Sequence, residues 1–484
     1  MRRWLLSLAV AALVAAAPAA AFAPTDPLAA KQWYLTDDHA FDAWAEPPTT
    51  LEPVKVAVVD SGVDCSLADF AGRIADKRSF VGGDPCIDTE GHGTFVAGVI
   101  AANLDGQGIV GLAYNSELLV AKVVNPDGTI PLAAEAAAIR WAADNGAKVI
   151  NLSLGGVRDP LHKNRDTYSP LEASAVAYAY AKGAVLVAAV GNGDEAFSEP
   201  WPFASYPAAL PHVIGVSALT RSGNVPDYSN RDAIYNDISA PGSGIFSTFP
   251  LALTAQRPLC ADQGYSDCGN DDYRNPEGTS FAAPQVSAAA AVLFAVAPTL
   301  TNSQVTTILE HSADDVNAAT GCGNCRPLRD AYSGWGRLDV AKAVAVALTG
   351  PLPAPDRFET NDDAGTQAYT VWGKRTKVTA SLDYYDDRAD VYRVALAPHE
   401  RLSAKLTGGW AGAQVNLVLW RPSTKKVDDP TTRGIALRAA QSALPGSTQR
   451  VTFRAPARGW YYVEGKVASP GFGPYTLALD KTTG

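Results

Sequence analysis

The sequence predicts an α/β protein, with a mostly parallel sheet flanked by helices, followed by a small antiparallel β-sandwich domain. From residue 55 onward, short apolar runs rich in β-branched residues alternate with longer stretches of helical periodicity. That alternation is typical of parallel strands covered by helices on both faces. After residue 355 the pattern changes to short alternating runs separated by Gly, Pro and Asp, which favours antiparallel strands.

The elements follow in order along the chain. Apolar β-rich runs predict buried strands at 55–59, 118–124, 149–153, 185–189 and 213–218. Helical periodicity with few breakers predicts helices at 132–145, 171–182, 281–296, 301–312 and 340–348. In the C-terminal part, the clearest alternating runs are 389–396 and 460–467.

The predicted organisation has four parts. Residues 1–23 are a signal peptide, residues 24–349 the large α/β domain, residues 350–355 a linker and residues 356–484 the β-sandwich domain. The linker reads Gly-Pro-Leu-Pro-Ala-Pro, a composition that makes a stiff spacer. A chain of 484 residues is long enough for two domains.

The first residues indicate export. Arg2 and Arg3 precede an apolar run at 4–17 and then a run of small residues, the pattern of a cleaved secretory signal. A membrane anchor is the weaker alternative because the run is short for a bilayer. We therefore expect a secreted protein, extracellular or periplasmic, without a membrane span, because no later stretch is expected to be long and apolar enough to cross a bilayer. The net charge of −10 argues against nucleic acid as a partner, and a monomer is expected.

Six cysteines in an exported chain indicate disulfides, although six allow fifteen pairings. The pairing that is local in the sequence is Cys65–Cys86, Cys260–Cys268 and Cys322–Cys325. Cys322 and Cys325 also have the spacing of a redox or metal pair. A small disulfide loop is favoured because the pair is exported and lacks a second pair.

Three segments hold candidate catalytic side chains. Asp60 ends the first buried strand, where α/β sheets present functional groups. His92 lies between two glycines at the start of a helix, so the backbone can approach closely and the ring stays accessible. Ser280 begins a long apolar helix, where unpaired N–H groups and the helix dipole stabilise negative charge. Taken alone, Asp60 and Ser280 would each be an ordinary cap or turn residue; a base and an oriented imidazole would make the hydroxyl a nucleophile.

The motifs Asp60-Ser-Gly, Gly-His92-Gly-Thr and Gly-Thr-Ser280-x-Ala-x-Pro, in this order, resemble the three signatures of the subtilisin-like serine proteases. The resemblance covers about residues 27–348 and implies a serine endopeptidase acting on protein or peptide substrates. It implies that Ser280 is the nucleophile, His92 the acid–base and Asp60 the orienting group. The strand that ends in Gly-Asn192-Gly implies an oxyanion donor at Asn192, which without this resemblance would be a turn residue.

The resemblance also implies a substrate-binding surface. Ser153, Leu154 and Gly155 are similar to the segment that pairs with an extended substrate as an added strand. The residues implied to line the pocket for the substrate residue before the scissile bond are Ala188, Ala189 and Val190. Their character favours an apolar substrate side chain, and the acidic residues that follow, Asp194 and Glu195, leave a basic one as the less favoured alternative.

Structural calcium is the cofactor that the resemblance implies. The implied ligands are Asp26, Asp69, Asn103, Asp105, Gln107 and Ile109. Hard carboxylate and carbonyl oxygens suit this ion, although each Asp alone is an ordinary turn former.

The C-terminal part resembles the bacterial pre-peptidase C-terminal domain, through the segments that begin at Phe358 (Phe-Glu-Thr-Asn-Asp-Asp) and Gly459 (Gly-Trp-Tyr-Tyr-Val-Glu-Gly). Its acidic loop favours a solvated surface, with a second calcium site at Asp383, Asp386, Asp387 and Asp390 as the less favoured alternative. No separate propeptide is expected, since residues 27–33 already resemble the start of a mature domain. The alternative function is a latent or inactive protease-fold protein that acts as an extracellular binding or adhesion module.

Overall fold

The computed structural model describes residues 22–44, 52–254, 263–350, 352, 356–385, 387–427 and 436–483. Nearly all of the predicted signal peptide, most of the predicted linker, Cys260 and Asp386 lie outside these residues.

The first part of the chain is built on a seven-stranded parallel sheet, as predicted. Its strands are β1 (Lys55–Asp60), β2 (Ile74–Ser79), β3 (Glu117–Lys122), β4 (Val149–Leu152), β5 (Val185–Ala189), β6 (Val213–Leu219) and β7 (Ile238–Pro241). They lie in the order β2-β3-β1-β4-β5-β6-β7, and every neighbouring pair is parallel. The apolar strands β1, β4, β5 and β6 occupy interior positions because both of their faces are buried.

Helices cover both faces of this sheet. They are α1 (Trp33–Asp37), α2 (Ala40–Ala43), α3 (His92–Ala101), α4 (Leu132–Asp144), α5 (Pro170–Ala181), α6 (Leu251–Thr254), α7 (Asp271–Arg274), α8 (Thr279–Val296), α9 (Asn302–Ser312) and α10 (Val340–Thr349). Because side chains alternate along a strand, Val56 and Val58 pack in the core with α3 and α8, whereas Ala57 and Val59 pack in the core with α4 and α5.

Helix α8 is the central helix of the first core. It is long and apolar enough to cross a bilayer, but 83 % of that window is buried inside the protein. The expectation that no later stretch reaches this length and hydropathy is therefore wrong. The physical reason is that α8 is enclosed by β-strands on one side and by α3, α9 and α10 on others, so it needs an apolar surface nearly all round.

The C-terminal part is a β-sandwich, as predicted. One sheet has the order β13-β12-β15-β10-β8 and the other β14-β11-β16-β9. The strands are β8 (Tyr369–Val371), β9 (Arg375–Asp383), β10 (Ala389–Leu396), β11 (Arg401–Gly408), β12 (Val415–Trp420), β13 (Arg438–Ser442), β14 (Thr448–Arg454), β15 (Gly459–Val467) and β16 (Phe472–Thr482). Neighbours are antiparallel except β8 and β10, and alternate side chains from both sheets form one apolar core.

The two parts contact each other through two histidines of the first part. The His311 ring stacks on Phe472 with ring centroids 3.8 Å apart. Nε2 of His212 lies 3.2 Å from Oδ2 of Asp362. Burial, followed by the charge of Arg329, lowers the pKa of His311 to about 4, so this ring is neutral at pH 7.

Candidate active site

The parallel sheet brings the predicted functional groups to one edge. Asp60 is the last residue of β1 and Ser153 follows β4, while Asn192 follows β5. Since β1, β4 and β5 are neighbours and parallel, their carboxyl ends meet at the same edge. The first turns of α3 and α8 reach this edge and bring His92 and Ser280 to it. Asp60, His92, Asn192 and Ser280 line one cleft of about 330 Å³.

Asp60 holds the imidazole of His92. Nδ1 of His92 lies 2.9 Å and 3.0 Å from the two carboxylate oxygens of Asp60, which is only 3 % exposed. The flanking glycines make this approach sterically possible. A Cβ on Gly93 would lie 2.1 Å from the carbonyl oxygen of Gly62, and Gly91 has a φ of +95°. The Gly-His-Gly segment is therefore required by the geometry of the site.

The charge of Asp60 changes the acidity of His92. Burial works to lower the pKa of the imidazole, but the charge and hydrogen bond of Asp60, with the charges of Asp88 and Glu195, together raise the pKa of His92 above its ordinary 6.5. Nδ1 is fixed as the donor to the carboxylate, so Nε2 is the nitrogen left to exchange protons. This is the arrangement of a general base whose tautomer is set by a buried carboxylate.

Asp88 supports the His92 segment, and the sequence analysis missed it. Its buried carboxylate accepts hydrogen bonds from the N–H groups of Gly91 and Thr94, both at 2.9 Å. It also accepts from the hydroxyls of Ser61, at 2.9 Å, and Thr94, at 2.7 Å. Asp88 thereby caps the first turn of α3, where a negative charge is favoured, and ties that turn to the loop after β1. The sequence signal is an Asp shortly before a helix that begins Gly-His-Gly-Thr.

Ser280 lies in the first turn of α8 and is held against the segment after β4. Its hydroxyl donates to the carbonyl oxygen of Ser153 at 3.2 Å, and the Ser153 hydroxyl donates to the carbonyl oxygen of Ser280 at 2.8 Å. Among the hydrogen bonds of the described residues, the Ser280 hydroxyl points to Ser153 and not to His92. In enzymes without bound substrate such catalytic hydrogen bonds are often long or unformed.

Asn192 presents its side chain beside Ser280. Its Oδ1 accepts hydrogen bonds from the N–H of Thr279 at 3.0 Å and from the Thr279 hydroxyl at 3.1 Å. These bonds fix the amide, because the oxygen is engaged and the NH₂ group must point the other way. A carboxylate, Glu195, hydrogen-bonds to Asn192 and borders the same cleft. Burial, followed by the charge of Asp194, raises the pKa of Glu195.

The predicted substrate-binding residues divide into two sets. Ser153, Leu154, Gly155 and Ala189 line the cleft. Ala188 and Val190 are fully buried in the core with α4 and α5. Strand alternation explains the division, because Ala188 of β5 and Val190, which directly follows the strand, point to the face opposite to Ala189.

Two of the predicted calcium ligands, Asp26 and Asp69, are buried carboxylates that each lie near a third, Asp105. Asp26 is 3 % and Asp69 is 7 % exposed. Oδ1 of Asp26 accepts from the N–H of Asp105 at 3.1 Å, whereas its buried Oδ2 has no hydrogen-bond partner among the described residues. Burial is the main cause that raises the pKa of both Asp26 and Asp69, and Asp105 adds to it by charge repulsion. A cation would relieve this repulsion.

The remaining predicted ligands have other contacts. Oδ1 of Asn103 accepts a hydrogen bond from Nε of Arg73 at 2.5 Å. The N–H of Gln107 donates to Asp105 at 3.0 Å and that of Ile109 donates to Asp69 at 3.3 Å. Gln107 and Ile109 thus hold two of the carboxylates in place through their N–H groups.

A second group of carboxylates in the β-sandwich also fits a cation. The four residues whose carboxylate oxygens lie within 4.8 Å of one another are Asp356, Glu359, Asp387 and Asp390. One oxygen each of Glu359, Asp387 and Asp390 is buried without a hydrogen-bond partner among the described residues. Burial, reinforced by mutual repulsion, raises the pKa of all four. Of the acidic loop residues predicted from the sequence, Asp387 and Asp390 belong to this group, and Asp386 lies outside the described residues.

Two of the predicted disulfides are formed, Cys65–Cys86 and Cys322–Cys325. The bonded sulfurs of Cys322 and Cys325 are not free thiolates, so they are not available as metal ligands in this state. Cys268 is disulfide-bonded, and its predicted partner Cys260 lies outside the described residues.

The chain is similar to known proteins in sequence and in fold. Residues 52–336 match the model of the Subtilase family. The chain is 32 % identical over 468 residues to the cell wall-associated protease of Bacillus subtilis, an alignment that covers 89 % of this chain and 48 % of that protein. The chain thus spans about half the length of that relative. It is 34 % identical over 264 residues to subtilisin DY of Bacillus licheniformis, covering 54 % of this chain and 84 % of that protein.

A solved structure extends the likeness to three dimensions. A protease from Pseudoalteromonas arctica aligns with a TM-score of 0.53 and 25 % identity, covering 67 % of this chain and 99 % of that chain.

Proposed function

Because the chain belongs to the subtilase family of serine endopeptidases, we propose that it hydrolyses peptide bonds with Ser280 as nucleophile, His92 as acid–base and Asp60 as the orienting group. The observation that supports this most is the meeting of the hydrogen-bonded pair Asp60 and His92 with Ser280 and Asn192 in one cleft. Each of these four residues comes from a different segment of the chain. A role in the fold alone would not explain why all four side chains meet in one cleft.

The first step transfers one proton and forms one bond. The Ser280 hydroxyl turns from the carbonyl oxygen of Ser153 towards Nε2 of His92, which accepts its proton as Oγ attacks the scissile carbonyl carbon. The imidazolium that results is stabilised by Asp60. The same proton then passes to the leaving amine, and water, activated by His92, hydrolyses the acyl-enzyme.

The negative oxygen of the tetrahedral intermediate needs donors that are already in place. The N–H of Ser280, in the first turn of α8, is one such donor, since this end of a helix has unpaired N–H groups. The NH₂ group of Asn192 is the other, because the contacts with Thr279 fix its orientation. Donors held in this way stabilise the transition state without reorganisation.

The substrate is proposed to bind as an extended strand along Ser153, Leu154 and Gly155. The pairing uses main-chain atoms, which gives affinity with little sequence preference. Gly155 suits this because a Cβ there would lie 2.7 Å from the carbonyl oxygen of Tyr206, so the segment lies flat on its neighbour. We further propose a secreted monomer, in keeping with the signal-like N-terminal sequence.

Calcium is proposed as a structural ion. Asp26, Asp69 and Asp105 would hold it in the α/β part, and Asp356, Glu359, Asp387 and Asp390 in the β-sandwich. The ion would neutralise buried carboxylates whose oxygens otherwise lack partners. A chelator is therefore expected to lower the melting temperature of the catalytically silent Ser280→Ala protein, in which self-digestion cannot contribute. An unchanged melting temperature would contradict a structural role for calcium.

The test of the enzymatic proposal compares the secreted wild-type protein with Ser280→Ala on unfolded casein. We expect fragments with wild type only. One observation favours the alternative of a latent binding protein, namely the Ser280 hydroxyl directed to Ser153. If folded wild type produces no more fragments than Ser280→Ala, the latent reading replaces the enzymatic one.

A further inference from the structure

A second cavity, of about 210 Å³, adjoins the proposed catalytic cleft. The two share Ile130, Leu154 and Gly155 in their walls, so the cavity opens along the segment proposed to pair with substrate. Its far wall contains two glutamates, Glu135 of α4 and Glu172 of α5. Neither residue has a part in the chemistry proposed above.

The two glutamates form a buried pair. Glu135 is 3 % and Glu172 is 2 % exposed, and their carboxyl groups share a hydrogen bond. Oε1 of Glu135 and Oε2 of Glu172 are buried without a hydrogen-bond partner among the described residues. Burial raises the pKa of both groups, so the pair can hold one shared proton in the absence of a cation.

Such a pair lowers the stability of the protein if its only role is to pack between the helices. A buried acidic group with an unpaired oxygen destabilises a protein, and apolar side chains of similar volume are often neutral or better. The helices around the pair are otherwise packed by alanines such as Ala138 and Ala175. The side chains that line the cavity include no Lys, Arg or His among the described residues, so no cation of the protein itself compensates the two acids there.

The register of the proposed substrate strand places one side chain at this cavity. We place the residue before the scissile bond at Ser153, because Ser153 contacts Ser280, and let the substrate run antiparallel to the segment. An extended chain advances one residue per residue of its partner strand, so the fourth residue before the scissile bond reaches Gly156. Gly156 lines the acidic cavity and not the catalytic cleft. Its N–H and C=O bond to Tyr206 at 2.8 and 2.9 Å, which fixes this end of the segment.

We infer that the cavity with Glu135 and Glu172 binds a basic side chain, Arg or Lys, of the fourth substrate residue before the scissile bond. Arginine fits best, because its planar group has five N–H donors and pairs with carboxylates through two parallel hydrogen bonds. The entering cation displaces the proton shared by the pair. This inference rests on the proposed function, since it names the substrate preference of the same cleft.

The experiment uses peptides that are identical except at this fourth position, which holds Arg, Ala or Glu. A further peptide with Arg moved to the third position controls the register. kcat/KM is measured for wild type, for the double variant Glu135→Gln/Glu172→Gln and for Asp227→Asn, a control whose side chain is 78 % exposed. The single variant Glu172→Gln provides a second measurement if the double variant does not fold.

Wild type and Asp227→Asn should cleave the Arg peptide about 10- to 100-fold better than the Ala peptide, the range for hydrogen bonds to a charged group. In the double variant this ratio should fall below about threefold, with the Ala peptide cleaved as before. Equal cleavage of the Arg and Ala peptides by wild type, or an unchanged ratio in the double variant, would overturn the inference while the proposed function stands. If folded wild type cleaves none of the peptides, the proposed function itself fails and the inference falls with it.

Discussion

Removing the carboxylate of Asp88 should disable the site without touching any reacting atom. In Asp88→Ala, the N–H groups of Gly91 and Thr94 lose their acceptor, and both residues are buried. An orphaned buried N–H costs about 1–3 kcal/mol, so the two together cost about 2–6 kcal/mol, a large part of the roughly 5–15 kcal/mol that stabilises a typical protein. Asp88→Asn keeps one carbonyl oxygen as an acceptor. Its free energy of unfolding should be about 1–3 kcal/mol lower than that of wild type, since its NH₂ group faces one of the two N–H donors.

The assay separates stability from activity. Unfolding in urea is followed in the Ser280→Ala background, where self-digestion cannot occur, and kcat/KM is measured in the active protein below its unfolding transition. A displacement of His92 by about 1 Å would lower kcat/KM about 10²-fold. Asp76→Ala is the matched control, because Asp76 is exposed and, among the described residues, its carboxylate accepts one hydrogen bond, from the N–H of Lys77. If Asp88→Ala is fully active and its free energy of unfolding lies within about 0.5 kcal/mol of wild type, the range of ordinary surface substitutions, Asp88 does not support the His92 segment.

Three further predictions follow from the site and the domain contact. Activity should fall as the pH drops through the raised pKa of His92, so the midpoint of the acidic limb of the kcat/KM profile should lie above pH 6.5. In Asp60→Asn the residual activity should show this midpoint at lower pH. The same midpoint in wild type and in Asp60→Asn would contradict the role of Asp60. Asn192→Ala should lower kcat by about 10²–10³, the size known for the corresponding donor in subtilisin itself, with KM nearly unchanged; a change confined to KM would count against an oxyanion role. Because the pKa of His311 is lowered to about 4 from 6.5, the folded state binds fewer protons there than the unfolded state, and stability should be lost as the pH falls from 6.5 towards 4. The melting temperature of His311→Gln in the Ser280→Ala background should depend less on pH over this window than that of the exposed control His399→Gln, and equal pH dependence would contradict the assignment.

The parts of the fold that depend on apolar pattern could be predicted from the sequence. The predicted strands at 55–59 and 185–189 correspond to β1 and β5 with bounds that agree within one residue, because buried parallel strands are continuous apolar runs. Strand β2 was missed because it lies at the edge of the sheet, and its Asp76, Lys77 and Arg78 face solvent. Charged side chains are usual on edge strands, so its sequence resembles a loop.

The site could be predicted only as far as its residues lie in recognisable segments. Asp60, His92 and Ser280 each have local sequence surroundings that indicate their position at a strand or helix end. The meeting of Glu135 with Glu172 depends on how α4 packs on α5, and helical periodicity says nothing about which polar residues of two helices face each other. Asp88 acts through the backbone N–H groups of Gly91 and Thr94 at the start of α3. An Asp shortly before Gly-His-Gly-Thr indicates a helix cap, but the pattern does not show which N–H groups the carboxylate reaches.

Covalent labelling shows directly whether the hydroxyl of Ser280 is an activated nucleophile. Folded wild-type protein is treated with a fluorophosphonate, which phosphonylates an activated serine hydroxyl, and the modified residue is located by mass spectrometry of the digested protein. We expect one added phosphonyl group, on Ser280, and a rate of labelling that falls sharply in His92→Ala, because the hydroxyl then lacks its base. Labelling at another residue, or an equal rate in His92→Ala, would contradict the assembly of Asp60, His92 and Ser280 into a working catalytic site.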